Sequence, residues 1–564
     1  MKPTFIFLAL GLPAFAQSEF RPIFNGKDLT GWSPVLENAA QGKDPQNIIT
    51  VHDGTIHMYQ NVKAGDPAPF GVIVSQESYS RYHLRFQYQW GGKKFSPRTG
   101  DIRDAGVIYH AYESSQVWPK GIENQIQEGD TGDLIWCESN GLTWMRPNGQ
   151  YAPEGQGQTG LLPENGGLLR EIGFKYDYIG RFQEYDNYEG WTNVDIIVQA
   201  DDWATHKVNG RVHTRLRDLK KPDGTPLAEG RLTLQLEGAE LQYRNVELKE
   251  LSKPLKASLQ QVTLTVRHGK TADGSVSLTN PGTAPLDAAP HLIGKDAEFF
   301  TVEPAAATIA PGASAEFRVR FAPAGFGGRY SAAIQFGNEE TGAFVPLNAI
   351  GYGNGTEPTL QDILDTLSVP AIVGTGRWQE DKSPRLGDSI HARSFISSKD
   401  GKAFIMPVAA FPDDDAEIPA LSLFTEIDPV LKPVSVAAPA IGINPELVAK
   451  SQSGSLTTAD FKEFAAPDSA FGLCLGQNAS TSQDRPSDLK IRYKARVFKA
   501  SRVLESKVSN AYLVCFETGG LCDYNDAVFL LANVSPWKIA ESWPQEEKRW
   551  TLKEIRKALG LSDQ

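Results

Sequence analysis

The protein contains 564 residues, of which 40% are apolar and 22% charged, with 52 glycines and 36 prolines. This length exceeds what one hydrophobic core supports, so we expect roughly three or four domains, and the composition excludes a disordered or collagen-like chain. Lys and Arg number 56 against 68 Asp and Glu, giving a net charge of -12, which is the wrong sign for a surface that follows nucleic-acid phosphates. We therefore expect no nucleic-acid partner.

The N-terminus has the pattern of a signal peptide over residues 1–16. Lys2 supplies a positive charge, the following residues are mostly apolar, and Ala14 and Ala16 place small side chains where a signal peptidase cleaves. The apolar stretch is too short to span a membrane, and no later segment reaches the ~20 apolar residues of a membrane helix. We expect a secreted or periplasmic protein without a membrane span, whose mature chain begins near Gln17.

Residues 17–251 are dominated by short segments of alternating polarity. The clearest is YHLRFQYQW at residues 82–90, where every second side chain is apolar and the intervening ones are polar. Many such strands with almost no helical period predict a sandwich of antiparallel sheets.

Three further segments follow a short proline-bearing linker. Residues 258–353 alternate cleanly, as in AEFRVRFAP, and their length suits an immunoglobulin-like sandwich. Residues 357–537 predict a third, mainly β domain that opens with a helix in TLQDILDTLSV. Residues 538–564 place apolar side chains at helical spacing, which predicts a terminal amphipathic helix. The fold class we expect is therefore an all-β multidomain protein with a C-terminal helix.

Four cysteines occur, and they lack the spacing of a structural zinc site. Cys515 and Cys522 flank a Gly-Gly turn, which leaves open a hairpin disulfide or two free buried thiols. No nucleotide or organic cofactor is expected, and cysteine chemistry is expected to be peripheral.

The segment GIENQIQEGD carries the first candidate site. Ile122 and Ile126 share one face of a strand, so Glu123 and Gln125 share the opposite face, and Asp130 follows at the strand end. An acidic, amide-rich face suits sugar hydroxyls, and ordinary solvated carboxylates explain the same pattern.

His110 lies in another strand, AGVIYHAY, at an alternate position. It could point into the same concavity as Glu123 if the two strands are neighbours, as an acid, a base or a ligand. A structural histidine is the other interpretation. Aromatic residues such as Trp118, Trp136 and Trp144 could stack on sugar rings, with core packing as the default for each.

Five ordered motifs link residues 20–251 to a known family. They are FNGKDLTGW, SYSRYHLRFQYQW, AGVIYHAY, IENQIQEGDTGD and GRLTLQLEGAELQYRNVELKEL. Together they resemble the 3-keto-disaccharide hydrolase family, whose fold is a concanavalin-like jelly roll. The resemblance implies a carbohydrate substrate already oxidised at C3, cleaved by 1,2-elimination to a 2-hydroxy-glucal and then hydrated, with net hydrolysis. A noncatalytic secreted glycan-binding or adhesion protein is the alternative, since one fold hosts many functions.

The implied reaction determines which residue types are needed. A ketone at C3 acidifies the C2 hydrogen, so a base must lie over C2, an acid must protonate the leaving oxygen, and donors or a divalent metal must stabilise the enolate. Glu123 and Gln125 match the family's acid-amide motif, which makes Glu123 the expected base or metal ligand. Arg244 matches an arginine in the closing motif, where it can hold a carboxylate or a sugar oxygen or form a structural salt bridge. The family commonly has arginine at the position of His110.

Two more resemblances concern the later segments. LTNPGTAPL, IAPGASAEFRVRFAP and GRYSAAIQF resemble choice-of-anchor and cilia-associated immunoglobulin-like domains, which implies a spacer or attachment to a cell surface or matrix. Glu517 and the run with Asp523, Asn525 and Asp526 resemble a calcium-associated β module of secreted adhesion proteins. Clustered oxygen ligands suit Ca²⁺, and hydrogen bonds within Asx turns are the alternative.

Overall fold

The computed structural model describes most of the chain from residue 19 to residue 537. The described residues are 19–147, 158–173, 176–181, 185–325, 327–353, 355–373, 387–397, 402–412, 417–425, 428, 430–434, 436, 441–443, 462–477, 479–482, 493–503, 506–507, 509–519 and 522–537. The predicted signal peptide and the predicted terminal helix lie outside these residues.

The all-β fold class predicted from the sequence is confirmed, with separate cores following one another along the chain. Buried apolar side chains form one core from residues 24–248, a second from residues 255–349, and a third set from residues 350–534. Each unit is a β-sandwich, because alternating strands have one apolar face that must be buried against another layer.

The first unit is a sandwich of two large sheets, with strands numbered here in chain order. The ten-stranded sheet consists, in pairing order, of β12 (Leu168–Ile172), β10 (Asn140–Met145), β16 (Arg211–Lys220), β15 (Trp203–Val208), β14 (Thr192–Gln199), β6 (Arg81–Lys94), β18 (Ala239–Glu250), β4 (Thr55–Met58) and β3 (Ile49–His52), with β1 (Arg21–Pro22) beside β18. The eight-stranded sheet consists of β11 (Gln158–Thr159), β13 (Asp177–Gly180), β9 (Leu134–Cys137), β8 (Lys120–Gln125), β7 (Gly106–Glu113), β17 (Gly230–Leu236), β5 (Gly71–Tyr79) and β2 (Trp32–Leu36).

Strand β6 explains why these sheets pack face to face. Its apolar positions, from Tyr82 to Trp90, are buried in the core, and the polar residues between them are not. The eight-stranded sheet contributes Ile122, Trp136 and Leu234 to the same core. Each sheet therefore has an inner apolar face and an outer face on which polar side chains can gather.

The second unit is an immunoglobulin-like sandwich. One sheet contains β19 (Lys256–Ala257), β21 (Ala272–Thr279), β26 (Ser314–Phe321) and β24 (Phe300–Glu303), the other contains β20 (Val262–Arg267), β28 (Ala343–Tyr352), β27 (Gly328–Phe336) and β23 (Pro290–Ile293), and a small pair is formed by β22 (Leu286–Asp287) and β25 (Thr308–Ile309). The alternation predicted for β26 holds, since Phe317, Val319 and Phe321 are buried between the sheets.

The third unit combines two sheets with the only α-helix among the described residues, α1 (Leu360–Thr366). Thr359 caps this helix through a reciprocal capping box with Asp362. One sheet contains β32 (Lys432–Pro433), β31 (Leu421–Thr425), β35 (Phe471–Leu475), β29 (Phe395–Ser397) and β42 (Val534–Pro536), with β36 (Ala479–Ser480) on β35. The other contains β33 (Gly442–Ile443), β30 (Lys402–Ala410), β41 (Ala527–Ala532), β40 (Ala511–Phe516) and β37 (Ala495–Lys499), with β34 (Lys462–Ala465) on β30, and β38 (Arg502–Val503) pairs with β39 (Ser506–Lys507).

The loop between β27 and β28 docks the second unit onto the outer face of the ten-stranded sheet. Glu340 in this loop lies 2.8 Å from Nδ1 of His83, whose Nε2 lies 2.8 Å from Asp195. Lys249 donates to the second oxygen of Glu340 over 2.6 Å. Burial lowers the pKa of His83, but its hydrogen bonds to Asp195 and Glu340 outweigh burial and raise it overall. These ion pairs fix how the first two units meet.

Across the described residues, no helix has the length and apolar character needed to cross a bilayer.

Candidate functional site

Glu123 lies near the middle of the eight-stranded sheet, on its outer face. Strand β8 places it between Ile108 of β7 and Ile135 of β9. Its chain neighbour Ile122 points into the core, so Glu123 points away from the core, as the alternation predicts. The side chain is nevertheless almost fully buried, at 6% exposure. A buried carboxyl must be stabilised by specific partners or carry a proton.

Glu123 has hydrogen-bond partners in Cys137 and Gln235, and two more acids nearby share one guanidinium. Nη1 of Arg98 donates to Asp104 over 2.6 Å and to Glu237 over 2.9 Å. Gln125 donates from Nε2 to the other oxygen of Asp104 over 3.1 Å. Glu123, Asp104 and Glu237 thus form a buried acid cluster in which one cation serves three carboxyl groups.

This imbalance of charge keeps protons in the cluster near neutral pH. Burial, followed by the charge of Asp104, raises the pKa of Glu123 to about 8. Burial and the charges of Asp104 and Glu123 raise the pKa of Glu237 as well. Neighbouring carboxyls that cannot all ionise supply both a base and an acid at one pH.

Gly106 leaves the space in which these groups meet. It lies opposite Gln125, and a Cβ at this position would lie 2.0 Å from Oε1 of Glu123 and 2.1 Å from Oε1 of Gln235. The buried Oε1 atoms of Gln125 and Gln235 have no hydrogen-bond partner among the described residues. Buried acceptors without a donor are rare, and the hydroxyls of a sugar would satisfy them.

Aromatic side chains border the cluster. The rings of Phe70 and Trp118 lie 5.9 Å apart, and the guanidinium of Arg98 lies 5.1 Å from the Phe70 ring. The pKa of Tyr176 is raised by burial first and then by the charges of Cys137, Glu138 and Glu123. The Tyr176 hydroxyl is therefore close enough to the site to respond to its charges. Trp118 is 36% exposed and Tyr176 is 50% exposed. Both rings offer flat surfaces on which a pyranose can stack.

His110 does not face this cluster, which corrects the expectation that it shares a concavity with Glu123. The pairing of β7 with β8 loses its regular register after Tyr109, and His110 adopts φ 49°. This bulge turns the ring inward, where Nδ1 lies 2.9 Å from the carbonyl of Leu227 and the ring packs edge-on against Tyr82. Burial lowers the pKa of His110 to about 4. The geometry is that of a neutral core histidine.

Arg244 also lies away from Glu123. It belongs to β18 in the ten-stranded sheet, and its neighbour Tyr243 is buried in the core, so Arg244 points to the outer face of that sheet. Its Nε donates to Gln87 over 2.8 Å, and its guanidinium stacks 3.8 Å from the ring of Trp191. The sandwich therefore separates Arg244 from the acid cluster, which lies on the other sheet.

Asp130 lies in the turn after β8, where its charge affects the pKa of a second buried acid, Asp133. Its carbonyl accepts a hydrogen bond from the backbone of Asp133 over 3.2 Å. Burial raises the pKa of Asp133 to about 8, and the charge of Asp130 adds to the rise. Tyr178 donates to Asp133 over 2.5 Å. Asp133 is therefore one electrostatic neighbour of Asp130, and the predicted role of Asp130 in substrate binding stays a prediction.

Of the other aromatic candidates, Trp136 is fully buried in the core of the first unit. Trp144 packs on the outer face of the ten-stranded sheet. Only Trp118 among the three borders the acid cluster.

The four residues predicted to bind calcium lie together in the third unit. The ligand atoms of Glu517, Asp523 and Asp526 lie within 4.8 Å of one another, and theirs is the only such group of acids, histidines or cysteines among the described residues. Oδ1 of the buried Asn525 has no hydrogen-bond partner among those residues. Glu517 and Asp526 also accept backbone hydrogen bonds from their own loop, as the Asx-turn alternative expects. The oxygen-only donor set fits Ca²⁺.

All four cysteines are buried and present as free thiols, so Cys515 and Cys522 do not form a disulfide here. Cys137 has a direct role at the site, because its Sγ lies 3.3 Å from Oε2 of Glu123.

Several residues of the acid cluster were not found from the sequence. Gln235 in β17 and Glu237 directly after this strand alternate with Leu234 and Leu236, so the period-two pattern contained a signal for them. Arg98 and Asp104 lie on an irregular segment before β7, where no periodicity marks a functional residue.

The solved structures similar to this chain include three that share less than 20% identity with it. A putative glycosyl hydrolase from Parabacteroides distasonis is 17% identical, covering 42% of this chain and 100% of its own, with a TM-score of 0.25. A carbohydrate-binding module from Bacillus subtilis is 11% identical over 40% of this chain and 98% of its own, with a TM-score of 0.23. The PapD-like domain 7 of human CEP192 is 17% identical over 18% of this chain and 87% of its own, with a TM-score of 0.15.

Family models match the first two units. No curated protein matched the chain. The two family models do not support the resemblance of the third unit to a calcium-associated module, so metal binding in that unit stays a prediction. Residues 255–342 match the model of Cep192 domain 3, and residues 19–249 match the model described as a 3-keto-alpha-glucoside-1,2-lyase-like domain.

Proposed function

We propose that the first unit cleaves 3-keto-glycosides by 1,2-elimination and hydration, with the acid cluster around Glu123 as its active site. Support comes from the family match over residues 19–249 and from a buried, proton-rich cluster bordered by aromatic rings. The observation that carries the proposal is the raised pKa of a buried Glu123, with unsatisfied amide oxygens beside it. A pKa near the working pH is what a general base requires.

In the proposed reaction, the carboxylate of Glu123 removes the proton from C2. The electrons of the C–H bond form the enolate at C3, which reverts to the ketone as the C1–O bond breaks and C1=C2 forms. The departing oxygen takes a proton, and the products are a free alcohol or sugar and a 3-keto-2-hydroxy-glucal. Water then adds across C1=C2, with hydroxyl at C1 and a proton at C2, which completes net hydrolysis.

The remaining members of the cluster supply the acid and the orientation. Glu237, whose burial favours its protonated form, is the proposed donor to the departing oxygen. Arg98 supplies the positive charge that offsets the developing enolate. The free carbonyl oxygens of Gln125 and Gln235 accept hydrogen bonds from substrate hydroxyls and fix the ring. The three acids do not form a close metal-ligand group, so no step is assigned to a metal.

The test compares two isosteric variants of the full-length protein on a 3-keto-disaccharide. Glu123→Gln removes the base and should lower release of the 3-keto-sugar by at least about a thousandfold, within the range attributed to general-base catalysis and charge stabilisation together. Glu128→Gln is the matched control, because Glu128 follows the same strand but is held by Arg103 outside the cluster. Equal turnover by Glu123→Gln and the wild type would contradict the assignment.

The alternative is a noncatalytic glycan-binding protein. It predicts that the wild type binds sugars through Trp118 and Tyr176 and releases no product from oxidised or unoxidised disaccharides. In either case we propose export through the N-terminal signal sequence and attachment to a surface or matrix through the later units.

We also propose that Glu517, Asp523, Asn525 and Asp526 hold Ca²⁺ in the third unit. Support comes from three acid groups within 4.8 Å of one another and from the unsatisfied Oδ1 of Asn525. A bound cation would offset the repulsion that, after burial, raises the pKa of Asp523 to about 8.

A further inference from the structure

A second cleft lies on the far side of the first unit from the acid cluster. It opens between the outer face of the ten-stranded sheet and the immunoglobulin-like unit, with Arg502 of the third unit at one edge, and its volume is about 670 Å³. Strands β10, β15 and β16 form one wall, and the hairpin of β27 and β28 forms the other. Small-molecule sites often occupy domain junctions of this size.

The floor of the cleft is apolar and contains a buried arginine. Leu142, Trp144 and Phe344 line it, and the rings of Trp144 and Phe344 meet edge-on with centroids 6.4 Å apart. The guanidinium of Arg215 lies 3.9 Å from the Phe344 ring centroid. Such stacking fixes the plane of a guanidinium and leaves its edge available for a carboxylate.

One nitrogen of the buried Arg215 guanidinium, Nε, lacks a hydrogen bond in the described part of the chain. Its side chain is only 10% exposed, and its Nε has no hydrogen-bond partner among the described residues. The carboxylate of Glu164 forms an ion pair with this nitrogen at 3.9 Å, which is beyond hydrogen-bond range. A buried donor that is left unsatisfied costs stability, so an anionic ligand would contribute binding free energy here.

The charge of the cleft also favours an anion. Seven Lys and Arg and five Asp and Glu line it, an excess of positive charge in a protein whose net charge is -12. Three of those acids are already paired: Glu171 with Arg502, Asp218 with Lys220, and Glu339 with Lys207, which does not line the cleft. A local surplus of cations in an acidic protein attracts anionic ligands.

We propose that this cleft binds an acidic sugar, one whose ring carries a carboxylate. The carboxylate would meet the guanidinium of Arg215, and the C–H groups of the ring would lie on the apolar floor at Trp144 and Phe344. The choice of a sugar as ligand depends on the proposed function, whereas the charge of the ligand depends only on the cleft. The site would hold an acidic glycan while the acid cluster on the opposite face acts on a different residue.

Isothermal titration calorimetry on the full-length protein tests this proposal, with trigalacturonate as the probe and maltotriose as its neutral counterpart. We expect binding of trigalacturonate that weakens in 0.5 M salt, and no binding of maltotriose at this site. Arg215→Gln should weaken the affinity at least tenfold. Arg211→Gln, on the same strand but outside the cleft, should leave the affinity unchanged.

A further variant guards against a folding defect. Lys256 is exposed at the mouth of the cleft, so Lys256→Glu should preserve the fold and still weaken trigalacturonate binding severalfold. Glu123→Gln should bind trigalacturonate as the wild type does, which separates failure of this site from failure of the proposed reaction. No binding of trigalacturonate, equal binding of maltotriose, or undiminished binding by both Arg215→Gln and Lys256→Glu would overturn the proposal.

Discussion

The thiol of Cys137 donates a hydrogen bond to Oε2 of Glu123, with 3.3 Å between the two atoms. The pair spans adjacent strands β9 and β8 and is buried on the outer face of the sheet. A thiol is a weak donor, yet here it favours the charged form of the carboxyl and so opposes the effect of burial on the pKa of Glu123. Cys137 is therefore part of the active site that we propose.

Replacing this donor should change the pH dependence of the reaction. Cys137→Ala removes a hydrogen bond worth roughly 1 kcal/mol, so the pKa of Glu123 should rise and kcat/KM at pH 7 should fall about fivefold. Cys137→Ser keeps a donor and should retain most of the activity. The measurement is kcat/KM between pH 6 and 9.5, and an unchanged midpoint in Cys137→Ala would show that the thiol does not act on the base.

The charge of Asp104 should have the opposite effect on the same profile. Because it helps to raise the pKa of Glu123 to about 8, the wild-type kcat/KM should increase with pH through about 8 as Glu123 ionises. Asp104→Asn removes that repulsion, so the midpoint should fall by about one pH unit. Asp101→Asn, an exposed acid on the same loop, is the control. A midpoint that stays near 8 in Asp104→Asn would contradict the electrostatic account.

The sequence predicted which face of its strand a side chain occupies better than which residues, far apart in the sequence, meet in the folded site. Alternation placed Glu123 and Ile122 on opposite faces, because within one strand the side-chain period is fixed. It failed at His110, where a bulge reverses the side chain, and at Arg244, because alternation does not tell which of two sheets a strand joins. Arg98 and Glu237 are 139 positions apart in sequence, and only the folded sandwich brings them together.

The contact between the first two units should depend on pH. The folded pKa of His83 is raised, so its contribution is complete below the unfolded value near 6.5 and is lost as the pH rises through the folded pKa. The pKa of Glu340 is lowered to about 2, so its contribution is present above about 4.5 and is lost as the pH falls towards 2. The His83 and Glu340 contact should therefore be strongest between about pH 4.5 and 6.5.

Removal of this contact should destabilise the protein most within that window. His83→Gln should cost roughly 1.5–3 kcal/mol at pH 6 and less at pH 9, as measured by thermal unfolding across pH. His52→Gln, at an exposed position, is the control and should leave the Tm unchanged at every pH. A loss of stability in His83→Gln that is equal at pH 6 and pH 9 would show that the imidazolium charge is not involved.

Calcium should stabilise the third unit. Millimolar Ca²⁺ should raise the Tm of the full-length protein by a few degrees, because a ligand that binds only the folded state adds to its stability. Asp523→Asn should remove this increase, whereas Asp428→Asn, at a half-buried acid of the same unit paired with Lys432, should retain it. If Ca²⁺ leaves the wild-type Tm unchanged, the hydrogen bonds within the loop are sufficient to explain the cluster.

The most direct test of the proposed reaction is the fate of the hydrogen at C2. When the wild-type protein cleaves a 3-keto-disaccharide in D₂O, elimination followed by hydration places a solvent-derived deuteron at C2 of the released 3-keto-sugar. Nuclear magnetic resonance measures this directly, with the product incubated without protein as the control for spontaneous exchange. We predict about one deuterium at C2, introduced during turnover and abolished together with turnover in Glu123→Gln. A product that keeps its original hydrogen at C2 would contradict elimination and exclude Glu123 as the base at that carbon.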